Sequence, residues 1–582
     1  MQINDMTLLI GGDAGQGIES SGAGFCKALA RTGLHVFSVP NHRSRIRGGH
    51  NYITIRTSEN PITSWTEPIH LLIALTPETV TLHKDKLVPG SALLFDQELG
   101  INQTELEEAG FVPVAVPLEE IAVETGGNKV MANTAAMGAV AGLTQLPFPS
   151  IESVIKDNFR KKGDKVIQAN LSVARAAFDY VAENFDAKYS WKLKPTKNPQ
   201  LMVMHGNQAL SLGALVAGCN FVAAYPMTPA SSIFQWFISH GDKYNVVVKQ
   251  AEDEIAAACM GVGASFVGAR VLIPTSGGGF ALMTEALGFA GMIETPVVFV
   301  NAQRPGPATG LATRTEQSDL LFIIHASQSE FPRLVFAPGT VEQCFEIAGR
   351  AFNLAEKYQT PVIILTDALL ASSLRSFRKD DLDFSKIKQE RGKLLSDTEL
   401  DKLTDSFRRY ELTTDGISPR AVPGHPKAII HSSSNEHDEF GYLTEDKINR
   451  KKMHEKRMRK LDLALSEMQA PIQYGPEEAD LTFVCWGSTL SPVLAAMEIL
   501  NQEKPGQANV LQFIDIWPFP IDKVLPFLQN ANILISVEQN YTGQLANLLD
   551  METCIGITRK ILRYDGRPIS PEYILEKLKE VV

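Results

Sequence analysis

The chain has 582 residues, 44% of them hydrophobic and 21% charged, so it is long enough to bury several hydrophobic cores. Its net charge of −11 argues against a nucleic acid or a membrane surface as a partner. Its six cysteines are far apart and form no C-x-x-C pair, which argues against a disulfide framework and against a metal or iron–sulfur site held by this chain alone.

Two features bear on where the protein resides. The first residues, MQINDMTLLIGG, lack the basic-then-apolar order of a signal peptide, so we expect a cytoplasmic protein. Residues 206–239 carry no charge and are numerous enough to span a bilayer. Because polar residues and prolines interrupt this window, we interpret it as a buried helix followed by a buried strand.

The first segment, residues 1–190, alternates between strand and helix patterns. TLLIGG predicts a strand, DAGQGIESSGAGFCKALARTG predicts the turn and helix after it, and HLLIAL and SALLFD predict further strands. The turn GGDAGQG is neither G-x-G-x-x-G nor a Walker A loop, so ordinary nucleotide binding is poorly supported. Together with the basic stretch NHRSRIRGGHN it could hold phosphates, and a solvated loop is the equal alternative.

The second segment, residues 196–390, contains strand candidates such as NVVVKQ, ARVLIPTS, TPVVFVNAQ and TPVIILTD, which are apolar throughout, as strands covered on both faces should be. In YPMTPASS, Pro229 biases Thr228 towards an extended backbone and suits the first position of a helix. Thr228 is therefore predicted to be an N-cap. The functional alternative is that its hydroxyl and the helix N-terminus face an anion at the end of a parallel strand.

The stretch KQAEDEIAAACMGVGASFVGAR begins a helix with three acids, of which the first two are explained by the helix dipole. Glu254 differs, because the positions on its own helical face are small and apolar: Ala257, Ala258 and Gly261. Either a planar ligand or another backbone could approach there. A carboxyl group in such a place would be desolvated and able to share a proton.

Two glycine-rich loops come next in this segment. PTSGGGFALMTEALGFAGMIETP places glycines where a strand enters a helix, which is a weak signal alone. NAQRPGPATGLATRTEQSDL places Arg304 and Arg314 directly after a strand, where carboxylate binding and simple solvation are both open. Residues 391–469 are polar and end in NRKKMHEKRMRK, which we interpret as a solvated helix face. Strand–helix alternation resumes from residue 470.

Taken together, these stretches resemble the 2-oxoacid:ferredoxin oxidoreductases, most closely the α subunit of 2-oxoglutarate:ferredoxin oxidoreductase with a γ-type domain fused at its N-terminus. GGDAGQG is similar to the γ-type domain, YPMTPAS and AEDEIAA to the pyrimidine-binding domain, and VCWGST with VEQN to the C-terminal domain. The resemblance implies an α/β protein with several doubly wound domains. These are a γ-type 2-oxoacid:acceptor oxidoreductase domain (1–190), a thiamine-diphosphate-enzyme pyrimidine-binding domain (196–390), a linker with a mobile active-site loop (391–469) and a transketolase C-terminal-like domain (470–582).

The resemblance also implies that the chain carries half of an active site. In this family thiamine diphosphate lies between two subunits, with its diphosphate and Mg²⁺ on the partner's GDG…NN motif. This sequence contains neither GDG nor an NN pair, and it lacks the cysteine set of the [4Fe–4S] cluster that the family carries on its β subunit. The implied partners are a β subunit, ferredoxin, a 2-oxoacid and coenzyme A, in an (αβ)₂ complex, with no metal bound by this chain.

The residues that match the family's motifs fall into four groups. Glu254 matches the glutamate that hydrogen-bonds the pyrimidine N1′ of the cofactor. The substrate-binding candidates are Thr228, Arg314, Arg304, Tyr225 and Met227. The mobile-loop candidates are His437 and Asp438, in NEHDEFG. The coenzyme A candidates are Gly15, Gln16, Gly17, Arg45 and Arg47.

The implied reaction is the oxidative decarboxylation of 2-oxoglutarate with coenzyme A to succinyl-CoA, CO₂ and reduced ferredoxin. Two alternatives stay open at the level of sequence. The same chemistry could act on pyruvate or another 2-oxoacid, or the chain could be a non-catalytic docking or scaffold subunit. Glu254 on a face of small residues argues against the scaffold, which has no use for it.

Overall fold

The computed structural model describes residues 2–43, 49–185 and 188–582 and divides them into two compact units. The first unit comprises the residues up to 205 together with 372–381 and 570–573. The second comprises 206–371, 382–569 and 574–582.

The strands, in chain order, are β1 (Gln2–Ile3), β2 (Met6–Asp13), β3 (His35–Asn41), β4 (His50–Ser58), β5 (Ile69–Ala74), β6 (Leu87–Asp96), β7 (Val112–Val116), β8 (Trp191–Lys192), β9 (Met202–Met204), β10 (Phe221–Ala224), β11 (Val247–Gln250), β12 (Val271–Thr275), β13 (Val297–Gln303), β14 (Leu334–Phe336), β15 (Pro361–Asp367), β16 (Arg375–Phe377), β17 (Ile472–Tyr474), β18 (Leu481–Trp486), β19 (Ala508–Phe513), β20 (Asp515–Trp517), β21 (Leu534–Glu538) and β22 (Arg559–Leu562).

The α-helices are α1 (Ile18–Arg31), α2 (Pro77–His83), α3 (Gln103–Glu108), α4 (Leu118–Gly126), α5 (Ala132–Thr144), α6 (Phe148–Phe159), α7 (Asp164–Phe185), α8 (Gly206–Val216), α9 (Ser231–His240), α10 (Glu254–Phe266), α11 (Gly277–Met292), α12 (Leu320–His325), α13 (Val341–Tyr358), α14 (Ala368–Ser372), α15 (Asp397–Asp401), α16 (Lys447–Glu467), α17 (Leu490–Glu503), α18 (Ile521–Gln529), α19 (Gln544–Thr553) and α20 (Pro571–Val581).

The first unit is built on an eight-stranded mixed sheet in the order β7-β6-β5-β2-β4-β3-β16-β9. Strands β7, β6, β5 and β2 are parallel to one another, whereas β4, β3, β16 and β9 pair antiparallel to their neighbours. Helices α1, α4, α5, α6 and α7 contribute side chains to the larger of its cores. The turn after β2 therefore lies at the carboxyl end of a parallel strand, the usual place for a ligand in such a sheet.

The second unit contains two sheets that share one hydrophobic core. The larger has the order β11-β10-β12-β13-β15-β14-β20, with every pair parallel except the last. The smaller has the order β17-β19-β18-β21-β22, and only β17 runs antiparallel. The doubly wound α/β fold is thus confirmed, and the predicted strands at NVVVKQ, ARVLIPTS, TPVVFVNAQ and TPVIILTD are strands of the larger sheet.

The two units are not continuous in the sequence. The second begins at residue 206, because β9 belongs to the first sheet. The chain also returns to the first sheet at 372–381, where β16 pairs with both β3 and β9. Strands β9 and β16 are three residues long, too short for a periodic pattern to reveal them.

The uncharged window at 206–239 forms α8, β10 and most of α9, as the interpretation of a buried helix and strand requires. Within the described residues, no helix is long and apolar enough to cross a membrane.

The basic run in α16 is only partly solvated: Lys451 and Lys452 are exposed, but Lys456, Arg457 and Lys460 are buried, so the interpretation was wrong for those three residues. Lys456 and Lys460 are each 1% exposed, and their ammonium groups lie 2.6 and 2.5 Å from the two carboxylate oxygens of Glu294. Arg409 adds a third buried cation, donating a hydrogen bond of 2.7 Å to the Glu294 carbonyl oxygen. One carboxylate thus fixes helix α16 against the end of α11. Three residues of the basic run, Lys456, Arg457 and Lys460, are buried in the second unit.

Candidate active site

The loop between β10 and α9 carries the substrate-binding candidates Thr228, Tyr225 and Met227. Helix α9 begins at Ser231 with Ala230 as its N-cap, and no side chain caps it. The prediction that Thr228 is the N-cap was therefore wrong. The Ser231 N–H is taken by the Met227 carbonyl oxygen at 3.0 Å, so a turn precedes the helix and the Thr228 side chain is left exposed. Tyr225 is also exposed, and Met227 is half-buried.

This loop is held from two sides. Asn207, in the first turn of α8, donates hydrogen bonds to the Pro229 carbonyl oxygen at 3.0 Å and to Ser232 Oγ at 2.8 Å. Arg304 donates from Nη1 to the Thr228 carbonyl oxygen at 2.8 Å. The structure thus brings two predicted site residues together, Arg304 holding the backbone of the residue whose hydroxyl is exposed. Burial lowers the pKa of Arg304.

Glu254 is the first residue of α10 and is 5% exposed. Asp253 caps the helix, accepting a hydrogen bond of 2.7 Å from the Ala256 N–H. The Glu254 side chain reaches the first turn of α11, where a Cβ atom at Gly279 would lie 2.8 Å from its Cγ and 3.0 Å from its Oε1. None of the described residues hydrogen-bonds the carboxylate, so a buried acceptor is open to a ligand.

The small residues on the face of Glu254 serve packing within the chain. Ala257, Ala258 and Gly261 are buried, and a side chain at Gly261 would clash with Ile273 of β12. At Gly261 it is side chains of β12, rather than a ligand or another backbone, that pack closely against this face. Gly279 is also closely packed, because a Cβ atom there would lie 2.2 Å from Thr275 Oγ1.

The segment after Arg304 is anchored by alternate residues. Thr315 Oγ1 donates to Asp367 Oδ1 at 3.4 Å, and Gln317 donates from Nε2 to the Trp486 carbonyl oxygen at 2.9 Å and from its N–H to the Gln539 carbonyl oxygen at 2.7 Å. Thr315 and Gln317 are buried. Arg314, which precedes Thr315, and Glu316, which lies between the two, are half-buried. This alternation is that of an extended segment, so Arg314 and Glu316 face away from the anchors.

Two acids of this segment were missed by the sequence reasoning. Burial and the charge of Asp319 raise the pKa of Glu316 to about 7. Asp319 accepts a hydrogen bond of 3.0 Å from Asn301 Nδ2, and a side chain at Gly277 would clash with its carboxylate. The first turn of α11 therefore has Asp319 on one side and Glu254 on the other. The only signal in the sequence was the position of TEQSD next to Arg314.

The VCWGST and VEQN stretches support this arrangement rather than contributing chemistry. Glu538 is fully buried and accepts hydrogen bonds from the N–H groups of Leu545 and Ala546, at 2.8 and 3.0 Å, at the start of α19. Its other partners include Trp486 Nε1 at 3.2 Å. A carboxylate at a helix N-terminus is stabilising, and here it fixes the strand ends that hold Gln317.

The NEHDEFG segment forms a hydrogen-bonded turn. Asp438 Oδ1 accepts from the N–H groups of Phe440 and Tyr442, both at 2.9 Å. His437 is fully buried with its ring 4.0 Å from that of Tyr410, and burial lowers its pKa. A role for Asp438 in the reaction stays a prediction.

In the first unit, the GGDAGQG turn leads into α1. Gln16 Oε1 accepts a hydrogen bond of 2.7 Å from the Asp13 N–H, and Gly17 takes a left-handed conformation as the N-cap of α1. Gly15 is also left-handed, with φ of 100°. The candidates Arg45 and Arg47 lie outside the described residues. A part for this turn in binding coenzyme A stays a prediction.

One group of this chain fits the cofactor that the resemblance implies, thiamine diphosphate. The buried, unpartnered Glu254 carboxylate beside Gly279 suits the donor edge of a planar ring. Across the described ranges, no group of three or more His, Cys, Asp or Glu residues could hold a metal ion.

Comparison with known proteins agrees with this geometry. Residues 212–458 match the family model described as pyruvate flavodoxin/ferredoxin oxidoreductase, thiamine diP-binding, and residues 7–180 match the one described as pyruvate ferredoxin/flavodoxin oxidoreductase. The chain is 34% identical to a 2-oxoacid:ferredoxin oxidoreductase α subunit of Aeropyrum pernix, covering 99% of this chain and 98% of that one. It is 31% identical to 2-oxoglutarate synthase subunit KorA of Archaeoglobus fulgidus. That match covers 65% of this chain and 98% of the KorA subunit.

A solved structure shares the whole fold. The 2-oxoglutarate:ferredoxin oxidoreductase of Magnetococcus marinus, with 2-oxoglutarate, coenzyme A and succinyl-CoA bound, is 32% identical with a TM-score of 0.90 and 99% coverage of both chains. Fold and site together define an oxidoreductase subunit with a thiamine-diphosphate-binding domain. The chain belongs to the family of 2-oxoacid:ferredoxin oxidoreductase α subunits.

Proposed function

We propose that the chain is the α subunit of an enzyme that oxidatively decarboxylates 2-oxoglutarate, with coenzyme A as acyl acceptor and ferredoxin as electron acceptor. The observation that carries the proposal is Glu254, a buried carboxylate without a partner among the described residues, at the start of a helix in the thiamine-diP-binding domain. The choice of 2-oxoglutarate rests on the similarity to the Magnetococcus marinus enzyme and to the KorA subunit. A β subunit would supply Mg²⁺, the diphosphate site and a [4Fe–4S] cluster, in an (αβ)₂ complex.

The residues of this chain have separable parts in that reaction. The cofactor, when bound, supplies the carbanion chemistry of decarboxylation. Glu254 would hold or share a proton at the pyrimidine N1′. Thr228 and Arg314 would bind the 2-oxoacid, and Arg304 would keep the Thr228 backbone in place through the bond that it already makes.

Pyruvate or another 2-oxoacid is the second candidate substrate, and a non-catalytic docking subunit is the candidate of another class. Co-expression with the neighbouring-gene product, followed by iron and thiamine analysis and rates on a panel of 2-oxoacids, tests all three. We expect the highest kcat/KM with 2-oxoglutarate. Preference for another 2-oxoacid would change the substrate, and no turnover by a complex that contains iron and thiamine would favour the docking subunit.

We expect the isolated chain to bind thiamine diphosphate weakly and to be colourless. Glu254 would contact only the pyrimidine end of the cofactor. The described part of this chain has no metal site that could hold the diphosphate. Calorimetric titration with thiamine diphosphate and Mg²⁺, and an absorption spectrum, measure both properties. Tight cofactor binding or a stoichiometric iron–sulfur spectrum from the isolated chain would show that the site is not shared.

Replacing Arg314 by methionine tests which carboxylate this residue binds. A charged hydrogen bond contributes about 1.5–3 kcal/mol, so kcat/KM should fall roughly ten- to a hundredfold. If Arg314 binds the distal carboxylate, 2-oxoglutarate should suffer far more than 2-oxobutyrate, which lacks that group. An equal loss assigns Arg314 to the carboxylate common to both substrates. The control is R160M, at the exposed residue Arg160. If R314M is as active as R160M, Arg314 does not bind the substrate.

A further inference from the structure

The first unit buries a pair of histidines beside the strand that enters the GGDAGQG turn. His50 is the first residue of β4, and His83 is the last residue of α2. They are 3% and 6% exposed, and their Nε2 atoms lie 2.9 Å apart, so the two rings are hydrogen-bonded to each other. In such a bond one Nε2 donates and the other accepts, so at least one of the two rings must be neutral.

The surroundings of the two rings offer little to a positive charge. The Tyr52 ring stacks on His50 at 5.5 Å and meets His83 edge-on at 4.6 Å, centroid to centroid. Neither Nδ1 atom has a hydrogen-bond partner among the described residues. A protonated imidazole carries an N–H at both nitrogens. Protonation would therefore bury a charge together with a further unpaired donor, and both are costly.

The charged groups around the pair oppose one another. Two are acidic, Asp13 at the end of β2 and Glu78 in α2, and two are basic, Arg43 after β3 and Lys86 after α2. Glu78 already pairs with Arg43 at 3.2 Å. Burial is therefore the dominant influence, and it lowers the pKa of both histidines, that of His83 to about 4.

Helix α2 depends on this pair for its place on the sheet. Of its seven residues, all described, Thr79 and His83 are the buried ones, and Leu82 is 48% exposed. A helix so short is not stable by itself and needs its tertiary contacts. A Cβ atom at Gly11 would lie 2.5 Å from Thr79 Cγ2 and 2.8 Å from His50 Cε1. The histidine pair thus joins α2 and β4 where both pack on the first residue of the GGDAGQG turn.

We propose that His50 and His83 form a pH-sensitive switch that holds α2 against Gly11 at neutral pH and releases it when the pH falls. Two protonated rings lose their shared hydrogen bond and repel each other, whereas in the released state water solvates both of them. The stabilisation is complete above the pKa of a histidine in the unfolded chain, about 6.5. It is lost as the pH falls below that value towards the folded pKa of His83, about 4.

Hydrogen exchange of the full chain, followed by peptide mass spectrometry, tests the release of α2. The rates are measured at about pH 7.5 and about pH 5 and are corrected for the intrinsic pH dependence of amide exchange. Protection of the α2 amides should fall at least about tenfold at the lower pH. Helix α6 of the same unit contains no histidine and serves as the internal reference. Equal protection of α2 at both pH values would overturn the inference.

A double variant assigns the effect to these two residues. In H50Q/H83Q the two amides can hydrogen-bond each other but do not titrate, so α2 should keep the same protection at both pH values. The control is H325Q, at an exposed histidine of the second unit, and it should behave as wild type. If α2 of H50Q/H83Q loses protection at low pH as wild type does, another group senses the pH and the inference fails.

The natural chain allows a second test that needs no variant. Exchange of the imidazole Cε1 hydrogen, followed by peptide mass spectrometry over a pH series, gives the pKa of each histidine separately. Values well below the ordinary 6.5 or so at His50 and His83 support the switch. An ordinary pKa at both residues would show that the pair is not held neutral by the fold, and would overturn the inference.

Discussion

Replacing Glu254 by glutamine is expected to lower turnover of the assembled enzyme by about 10²–10⁴-fold with every 2-oxoacid, the range found for loss of a positioned acid–base group. Glutamine fills the same volume beside Gly279 but cannot share a proton, so assembly and cofactor content should change little. The loss should appear in kcat and kcat/KM alike, because the group acts on the cofactor and not on the substrate.

The measurement is steady-state kinetics on complexes whose thiamine and iron contents have been matched. Glu252→Gln is the control, because Glu252 lies two residues away in the same acidic run and is exposed. If E254Q keeps its turnover and E252Q loses it, the catalytic acid has been misassigned. A loss of cofactor from E254Q that accounts for the whole loss of rate would make Glu254 a binding residue only.

Replacing Glu294 by glutamine is expected to destabilise the second unit by about 3–5 kcal/mol, the cost of removing one partner from a buried ion pair. Lys456, Lys460 and Arg409 would remain buried without a countercharge. Thermal unfolding and hydrogen exchange of α16 measure the effect. Glu330→Gln is the control, because the Glu330 side chain is 79% exposed in its pairing with His454.

A double variant separates charge from packing. Adding Lys460→Met to E294Q removes one of the stranded cations, so the pair should be less destabilising than E294Q alone. If E294Q is as stable as E330Q, the buried charges contribute nothing to the stability of this unit.

The same cluster predicts a pH dependence. Burial alone would raise the pKa of Glu294, but the charges of Lys456, Lys460 and Arg409 outweigh it and hold the pKa well below its ordinary value. The stabilisation is therefore complete above the pKa of a glutamate in the unfolded chain, about 4.3, and is lost as the pH falls below it towards the folded value. Wild type should lose stability faster than E294Q over that acidic range, and parallel acid-unfolding curves would contradict this.

The sequence predicted the sheets well, because strands covered on both faces are continuous apolar runs that no solvent-exposed segment resembles. TPVVFVNAQ and TPVIILTD could hardly be anything else. The prediction from sequence failed where the same local pattern occurs both in exposed and in buried segments. A run of lysine and arginine is usually solvated, and only the distant Glu294 makes burial of Lys456 and Lys460 favourable.

The candidate site was predictable in part for the same reason. The position of Glu254 at a helix start followed from local spacing, whereas only the fold brings it to Gly279 of α11. The prediction for Thr228 failed, because whether a threonine caps a helix depends on where the preceding turn closes, which Met227 and Ser231 decide. Asp319 was missed because only the fold brings Asn301 and Gly277 to it, and Glu316 because its burial beside Asp319 depends on the fold.

The return of the chain to the first sheet has a consequence for its synthesis on the ribosome. Among the described strands, β9 is hydrogen-bonded in that sheet only through β16, which is made long after the rest of the first unit. At about 5–20 residues per second, the chain between residues 205 and 375 takes roughly 10–35 s to be translated. Throughout that time the nascent first unit has β3 as an open edge, and its last contacts, between Glu67 and Ser570, form only when translation is nearly complete. An N-terminal unit usually folds before the later parts of its chain are made, but this one is completed only after residues 570–573 have been made.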